Sequence, residues 1–223
     1  VYMFDAGDGS LLWWGSANAA STTSATTNSG VIATKADDLK YSVVSQINAV
    51  DRNSDGLVDH LFFGDLGGQA FRVDLNNNNQ MSKTVDTKIA IRVQPLAQLR
   101  TTGATPFVPR FYDRLSTAVF DDGQNRFVLV TAGSGNRSFP LEAENGGKNK
   151  IYGLIDRDAA ADGLEKSAFT PAPVITPDLL SNTGILGKTV TKQITDTEIA
   201  KMKLIPIASL IKGKSLLLID DSI

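Results

Sequence analysis

Short apolar runs and apolar–polar alternation, broken by Gly, Asn, Asp and Ser, fill the first 156 residues. That is strand chemistry, because a strand turns successive side chains to opposite faces and breaks where turn residues gather. Three segments share one character: residues 1–6 (VYMFDA), 70–75 (AFRVDL) and 151–156 (IYGLID). The second and third follow an apolar partner across a Gly-rich turn, 60–68 (HLFFGDLGG) and 127–135 (FVLVTAGSG). The first is followed by its partner, 10–14 (SLLWW), beyond the turn Gly7-Asp8-Gly9. Each pair predicts a β-hairpin.

The equivalent strands start 69 residues apart (1 to 70) and then 81 (70 to 151). Propeller blades repeat at about 40–50 residues, so the excess must lie in polar insertions at 16–37, 76–79 and 140–148. A plain antiparallel sandwich is the alternative to repeats. Residues 107–114 (FVPRFYDR) predict a further strand. Alternation places one of Trp13 and Trp14 in the core and the other outward. Past Arg157 the pattern changes. Thr195 and Glu198 stand three apart as a capping box, and Ile199, Ala200 and Met202 follow, predicting a helix over 196–203. Residues 215–219 (SLLLI) predict a last strand. The expected fold is mostly β, a modified β-propeller with a partial set of blades. Residues 1–156 form blades and 157–223 continue them with a loop and helix insertion.

Composition narrows the class. At 223 residues, a single all-β domain is ordinary. Hydrophobic residues at 42% and charged residues at 21% argue against wholesale disorder. A net charge of −2 gives no basic excess for nucleic acid or an anionic membrane. Arg110, Arg114, Arg126 and Arg137 are too scattered for a polyanion site. Without cysteine there are no disulfides, thiolate nucleophiles or zinc–cysteine sites. No apolar run approaches the ~20 residues that span a bilayer, and no charged-then-apolar signal segment is seen. Val1 already stands in strand-like sequence, so a natural N-terminus upstream is expected.

The strongest chemical signal is residues 51–59, DRNSDGLVD. Oxygen-bearing side chains fall at loop positions 1, 3, 5 and 9: Asp51, Asn53, Asp55 and Asp59. Gly56 takes position 6, where an EF-hand-type loop turns sharply. A hard cation wants several oxygens converging on one point, and every-other-residue spacing in a tight loop supplies them. Leu57 would contribute its backbone carbonyl. Position 12 is Phe62 and not a bidentate glutamate, so the motif is the nine-residue D-x-[DN]-x-D-G-x-x-D variant. The competing reading is a solvated Asx-rich turn.

Other candidates are weaker. His60, the one histidine, lacks a G-x-S-x-G partner and reads as a strand residue beside the loop. Residues 64–68 (GDLGG) and 133–135 (GSG) lack the Walker Lys-Ser/Thr and the G-x-G-x-x-G helix, so they are turns. Asp65 is expected to cap its own turn through backbone amides.

Taken together, 51–75 (DRNSDGLVDHLFFGDLGGQAFRVDL) resembles the hallmark of the PilY family of type IV pilus biogenesis and tip-adhesin proteins. There a calcium loop runs into a hairpin of the form (aromatic)-x-G-D-x-x-G-x-(aromatic)-(Arg)-x-D-L. Phe63-Gly64-Asp65, Gly68, Phe71-Arg72 and Asp74-Leu75 occupy those positions. VYMFDAGDGSLLWW, FVLVTAGSGN, KIYGLID and PDLLSNTG are similar to flanking elements of that family. The resemblance covers most of residues 1–200 and implies its C-terminal modified β-propeller. It implies calcium held by Asp51, Asn53, Asp55, Leu57 and Asp59. It further implies a non-enzymatic role at the cell envelope or pilus tip. Calcium there would modulate pilus extension and retraction, and minor pilins and a surface or host receptor would be partners. The family's von Willebrand-like adhesive module and earlier blades are absent from these residues.

Two other functions compete. Quinoprotein (PQQ-dependent) dehydrogenase propellers also use Asp-Ala-x-x-Gly-x-x-x-Trp strands and calcium, but their ion meets the quinone in the central channel. Dockerin-like loops pass into a helix, whereas Leu61-Phe62-Phe63 predicts a strand.

Overall fold

The computed structural model describes residues 1–19, 25–26, 32–75, 90–121, 126–138, 149–161, 164, 169–180 and 190–192. All belong to one compact unit, Val1–Lys192; the other unit is Gln193–Ile223. The predicted helix at 196–203 and strand at 215–219 lie outside the described residues, as do the insertions at 76–79 and 140–148.

The fold is mostly β, and the described residues form three four-stranded sheets. Sheet A holds β1 (Tyr2–Phe4), β2 (Leu11–Ser16), β3 (Ala25–Thr26) and β4 (Ile32–Lys35) in the order β1-β2-β4-β3. Here β1 and β2 form the predicted hairpin, while β2 and β4 run parallel. Sheet B is an antiparallel meander of β5 (Asn48–Val50), β6 (His60–Gly64), β7 (Gln69–Leu75) and β8 (Ala90–Gln98). Sheet C repeats that plan with β9 (Ser116–Asp121), β10 (Arg126–Gly133), β11 (Ile151–Asp156) and β12 (Val190–Lys192). Among the described residues the only helical turns are two 3-10 turns, Asp158–Ala160 and Pro177–Leu179.

Sheet B lies between two apolar cores. Phe62 packs with Val50, Leu96, Val128, Val130 and Leu154 toward sheet C. Its neighbour Phe63 points the other way and joins Phe71, Val73, Trp13 and Leu39 toward sheet A. Strand alternation alone sends consecutive phenylalanines into different cores. Trp13 is the buried tryptophan and its Nε1 donates to Thr34 Oγ1 at 3.0 Å. Trp14 stays half-buried and stacks on Tyr2 with centroids 6.3 Å apart.

The β6–β7 turn is built as expected. Asp65 Oδ1 accepts from the N–H groups of Gly67 at 2.9 Å and Gln69 at 2.8 Å. Gly64 is required by a close approach, since a Cβ there would lie 2.5 Å from Phe111 Cβ.

Residues 107–114 are not a strand, which corrects the prediction. Pro109 has no N–H to give a ladder. The neighbouring amides instead serve irregular contacts: Phe107 N–H donates to Thr101 Oγ1 and Phe111 N–H to the Asp65 carbonyl. The two phenylalanines are core residues, which is why the segment carries a strand-like pattern.

Candidate functional site

The segment 51–59 joins β5 to β6 as a chain of bends, and its local chemistry fixes its shape. Asp51 folds its carboxylate inward. Its Oδ1 accepts from Ser54 N–H at 2.7 Å and Asp55 N–H at 3.3 Å, and its Oδ2 from Gly56 N–H at 2.8 Å. Asp55 N–H also reaches Asn53 Oδ1 at 3.1 Å, and Asp55 Oδ1 accepts from Leu57 N–H at 2.8 Å. Such inward bonds pull the backbone into left-handed geometry at Ser54 (φ 62°) and Gly56 (φ 88°). Glycine takes that conformation without a Cβ penalty. Asp59 closes the loop: its Oδ2 accepts from Arg52 N–H at 2.7 Å, and its own N–H donates to the Val50 carbonyl.

Three carboxylates, one amide oxygen and a backbone carbonyl within nine residues suit a hard divalent cation in kind. The spacing brings Asp51 and Asn53 each into hydrogen bonding with Asp55. It does not bring Asp51, Asp55 and Asp59 together. Among the described residues no three His, Cys, Asp or Glu side chains stand close enough to hold a metal ion. Asn53 Nδ2 donates to Asp55 Oδ2 at 3.0 Å, and that bond must open before both side chains can turn oxygens to one ion. Residues 53–57 are exposed, so this rotation meets little packing. A cation held by all five predicted ligands therefore requires the loop to tighten toward buried Asp59.

The loop leads directly into a buried charge network that the sequence did not reveal. His60 is buried, and its Nδ1 lies 3.0 Å from Asp74 Oδ1. Arg72 is 1% exposed. Its Nε donates to Asp74 Oδ1 at 2.6 Å, and its Nη1 donates to both oxygens of Asp156 at 2.7 Å. Arg92 Nη1 adds a bond to Asp74 Oδ2 at 3.1 Å. Arg72 and Asp74 sit two apart on β7 and share the face toward sheet C, where β11 offers Asp156. Apolar neighbours Phe71 and Val73 take the other face.

Burial alone would raise the Asp74 carboxyl, yet the His60 hydrogen bond and the Arg72 charge hold it well below the usual carboxylate range. Burial alone would lower the Arg72 guanidinium, but Asp74 and Asp156 raise it above its ordinary value. With Asp74 ionised, the hydrogen-bond pattern places a proton on His60 Nδ1. Among the described residues His60 Nε2 has no hydrogen-bond partner, so none of them holds a hydroxyl nucleophile against it. Asp74 stands to His60 as an orienting acid does, with no hydroxyl partner among the described residues.

Arg52, at loop position 2, ties the loop to sheet C. Its Nη1 donates to the Ala159 carbonyl at 2.8 Å and approaches the Ala161 carbonyl at 3.5 Å. Ala159 N–H donates in turn to Asp156 Oδ1 at 3.1 Å. Beside this junction a cavity of about 460 Å³ is walled by Arg72, Leu96, Asp156, Ile175 and Leu180.

No described helix is long and apolar enough to cross a membrane. Comparison with protein-family models, curated proteins and solved structures found no match to this chain.

Proposed function

We propose that this chain is a non-enzymatic, calcium-binding β-propeller portion of a type IV pilus biogenesis and tip-adhesin protein. One observation carries the reading. The loop of residues 51–59 has left-handed residues at positions 4 and 6 and runs straight into strand β6 without a helix. Sheets B and C support it as two antiparallel four-stranded meanders of the kind that form blades. In this reading Asp51, Asn53, Asp55, Leu57 (through its carbonyl) and Asp59 hold calcium. The protein acts at the cell envelope, with minor pilins and a surface or host receptor as partners.

The working principle is linkage. An ion that binds the folded loop and not the unfolded chain stabilises the fold by about 2.7 kcal/mol at a hundredfold excess over Kd. The loop residues orient and neutralise; none moves a proton. Calorimetric titration of the chain with calcium chloride tests the proposal. Micromolar or weaker binding is expected, within the ~10⁻⁷–10⁻³ M span of sensor and extracellular sites. Asp55→Ala should abolish it, and unchanged affinity in that variant would refute the assignment.

A further inference from the structure

We propose that Arg52 is a positioning residue that transmits closure of the 51–59 loop to sheet C. The inference rests on the calcium reading above and adds the route by which the ion's presence reaches the rest of the fold. Two contacts on one residue carry it. The Arg52 backbone N–H is held by Asp59 Oδ2 at 2.7 Å, so its main chain moves with a candidate ligand. Its guanidinium grips the Ala159 carbonyl at 2.8 Å, more than a hundred residues away in sequence. The gripped 3-10 turn, Asp158–Ala160, begins one residue past β11, and its Ala159 N–H is bonded to Asp156. Asp156 is in turn the partner of buried Arg72 on β7.

The loop and the network thus form a closed ring of contacts: Asp59 to Arg52, Arg52 to the 3-10 turn, the turn to Asp156, and Asp156 to Arg72 beside Asp74 and His60. His60 adjoins Asp59 in the chain, which completes the ring. Gathering Asp51, Asp55 and Asp59 around one ion cannot leave Arg52 still, because it lies between the first and last of these and is anchored to the last. A loop without this arginine would bind its ion as a local event. With it, binding stiffens the seam between sheets B and C.

Hydrogen exchange read by mass spectrometry on the whole chain, in EGTA and in excess calcium chloride, separates these cases. In the wild type, calcium should slow exchange both in 51–59 and in 157–161. The second effect should reach at least about fivefold, the low end of ordinary coupling between sites. In Arg52→Ala the slowing should persist in 51–59 and vanish in 157–161. Arg52→Gln, milder but too short to span the gap, should behave alike and serves if the alanine variant does not fold. A merely structural arginine would raise exchange equally with and without calcium, leaving the calcium-dependent difference intact. That result, or a wild type in which only 51–59 responds, overturns the coupling and spares the calcium reading. A wild type with no response anywhere and no heat of calcium binding overturns both.

Discussion

Removing Asp156 is the sharpest test of how sheets B and C are held together. Arg72 is 1% exposed, and Asp156 takes both of its Nη1 bonds at 2.7 Å. Asp156→Ala deletes two charge-assisted bonds and the acceptor for Ala159 N–H, and leaves Arg72 short of a partner while 1% exposed. Breaking a buried pair from one side costs about 3–5 kcal/mol, because the surviving charge stays desolvated. Asp74 still neutralises Arg72 from the other side, through Nε at 2.6 Å and Nη2 at 3.3 Å. The loss should therefore fall at the low end, about 3 kcal/mol. For a chain of this size that lowers Tm by roughly 6–12 °C. Urea unfolding at pH 7 measures it, with the slope checked for constancy. Asp113→Ala serves as control, since its pair with Arg137 is 71% and 64% exposed. That variant should change stability by less than about 0.5 kcal/mol. If Asp156→Ala came within about 1 kcal/mol of the wild type, Asp74 alone would suffice for Arg72 and the reasoning would fail.

Other outcomes follow from particular contacts. Burial pushes the Asp65 carboxyl up to about 6 despite the N–H groups of Gln69 and Gly67. Its folded value lies above the unfolded one. Its contribution is thus full below about pH 4 and is lost as pH rises through 6, by on the order of 3 kcal/mol. Urea unfolding across pH 4–7 should show wild-type stability falling relative to Asp65→Asn, and a flat difference would refute the assignment. Gly64→Ala drives a Cβ to 2.5 Å from Phe111 Cβ, so a loss of about 1–3 kcal/mol is expected by thermal unfolding. Calcium at a hundredfold excess over Kd should raise wild-type Tm by roughly 5–10 °C and leave Asp55→Ala at its calcium-free value. Equal shifts in both proteins would count against the loop as the site.

What could be read from the sequence was local. The hairpins β1–β2 and β6–β7 declare themselves because each joins two apolar runs across a Gly-containing turn, β10 and β11 pair as two apolar runs, and Asp65 caps its turn by contacts two and four residues away. The loop's inward bonds are also local, every one spanning five residues or fewer except the Asp59 closure, and they are the bonds of the Asx-rich turn that competed with a calcium loop. Long-range pairing was not legible. Strand β8 contains Pro95, which argues against a strand interior, and it is accommodated where the pairing with β7 is irregular, the register shifting between Ala70 and Phe71, the residue opposite Pro95. Residues 107–114 carry strand-like aromatics while Pro109 gives no N–H to a ladder. The charge network hides best of all. Arg72, Asp74 and Asp156 look like the solvent-facing half of ordinary strands, and only the packing of sheet C shows that this half is interior. The one available hint was an Arg and an Asp two apart in FRVDL, a spacing that puts opposite charges on one face.

The placement of Phe62 and Phe63 in separate cores has a consequence for how this chain assembles. Should β7 slide one position along β6, Arg72 and Asp74 would swing against Trp13 and Leu39, and Phe71 and Val73 would meet the carboxylate of Asp156. Both sides would lose at once, the oily compartment gaining stranded ions and the ionic one losing its partners. A middle layer bordered by two such unlike compartments proofreads its own alignment: a misthreaded hairpin finds no shelter on either side and comes apart to try again.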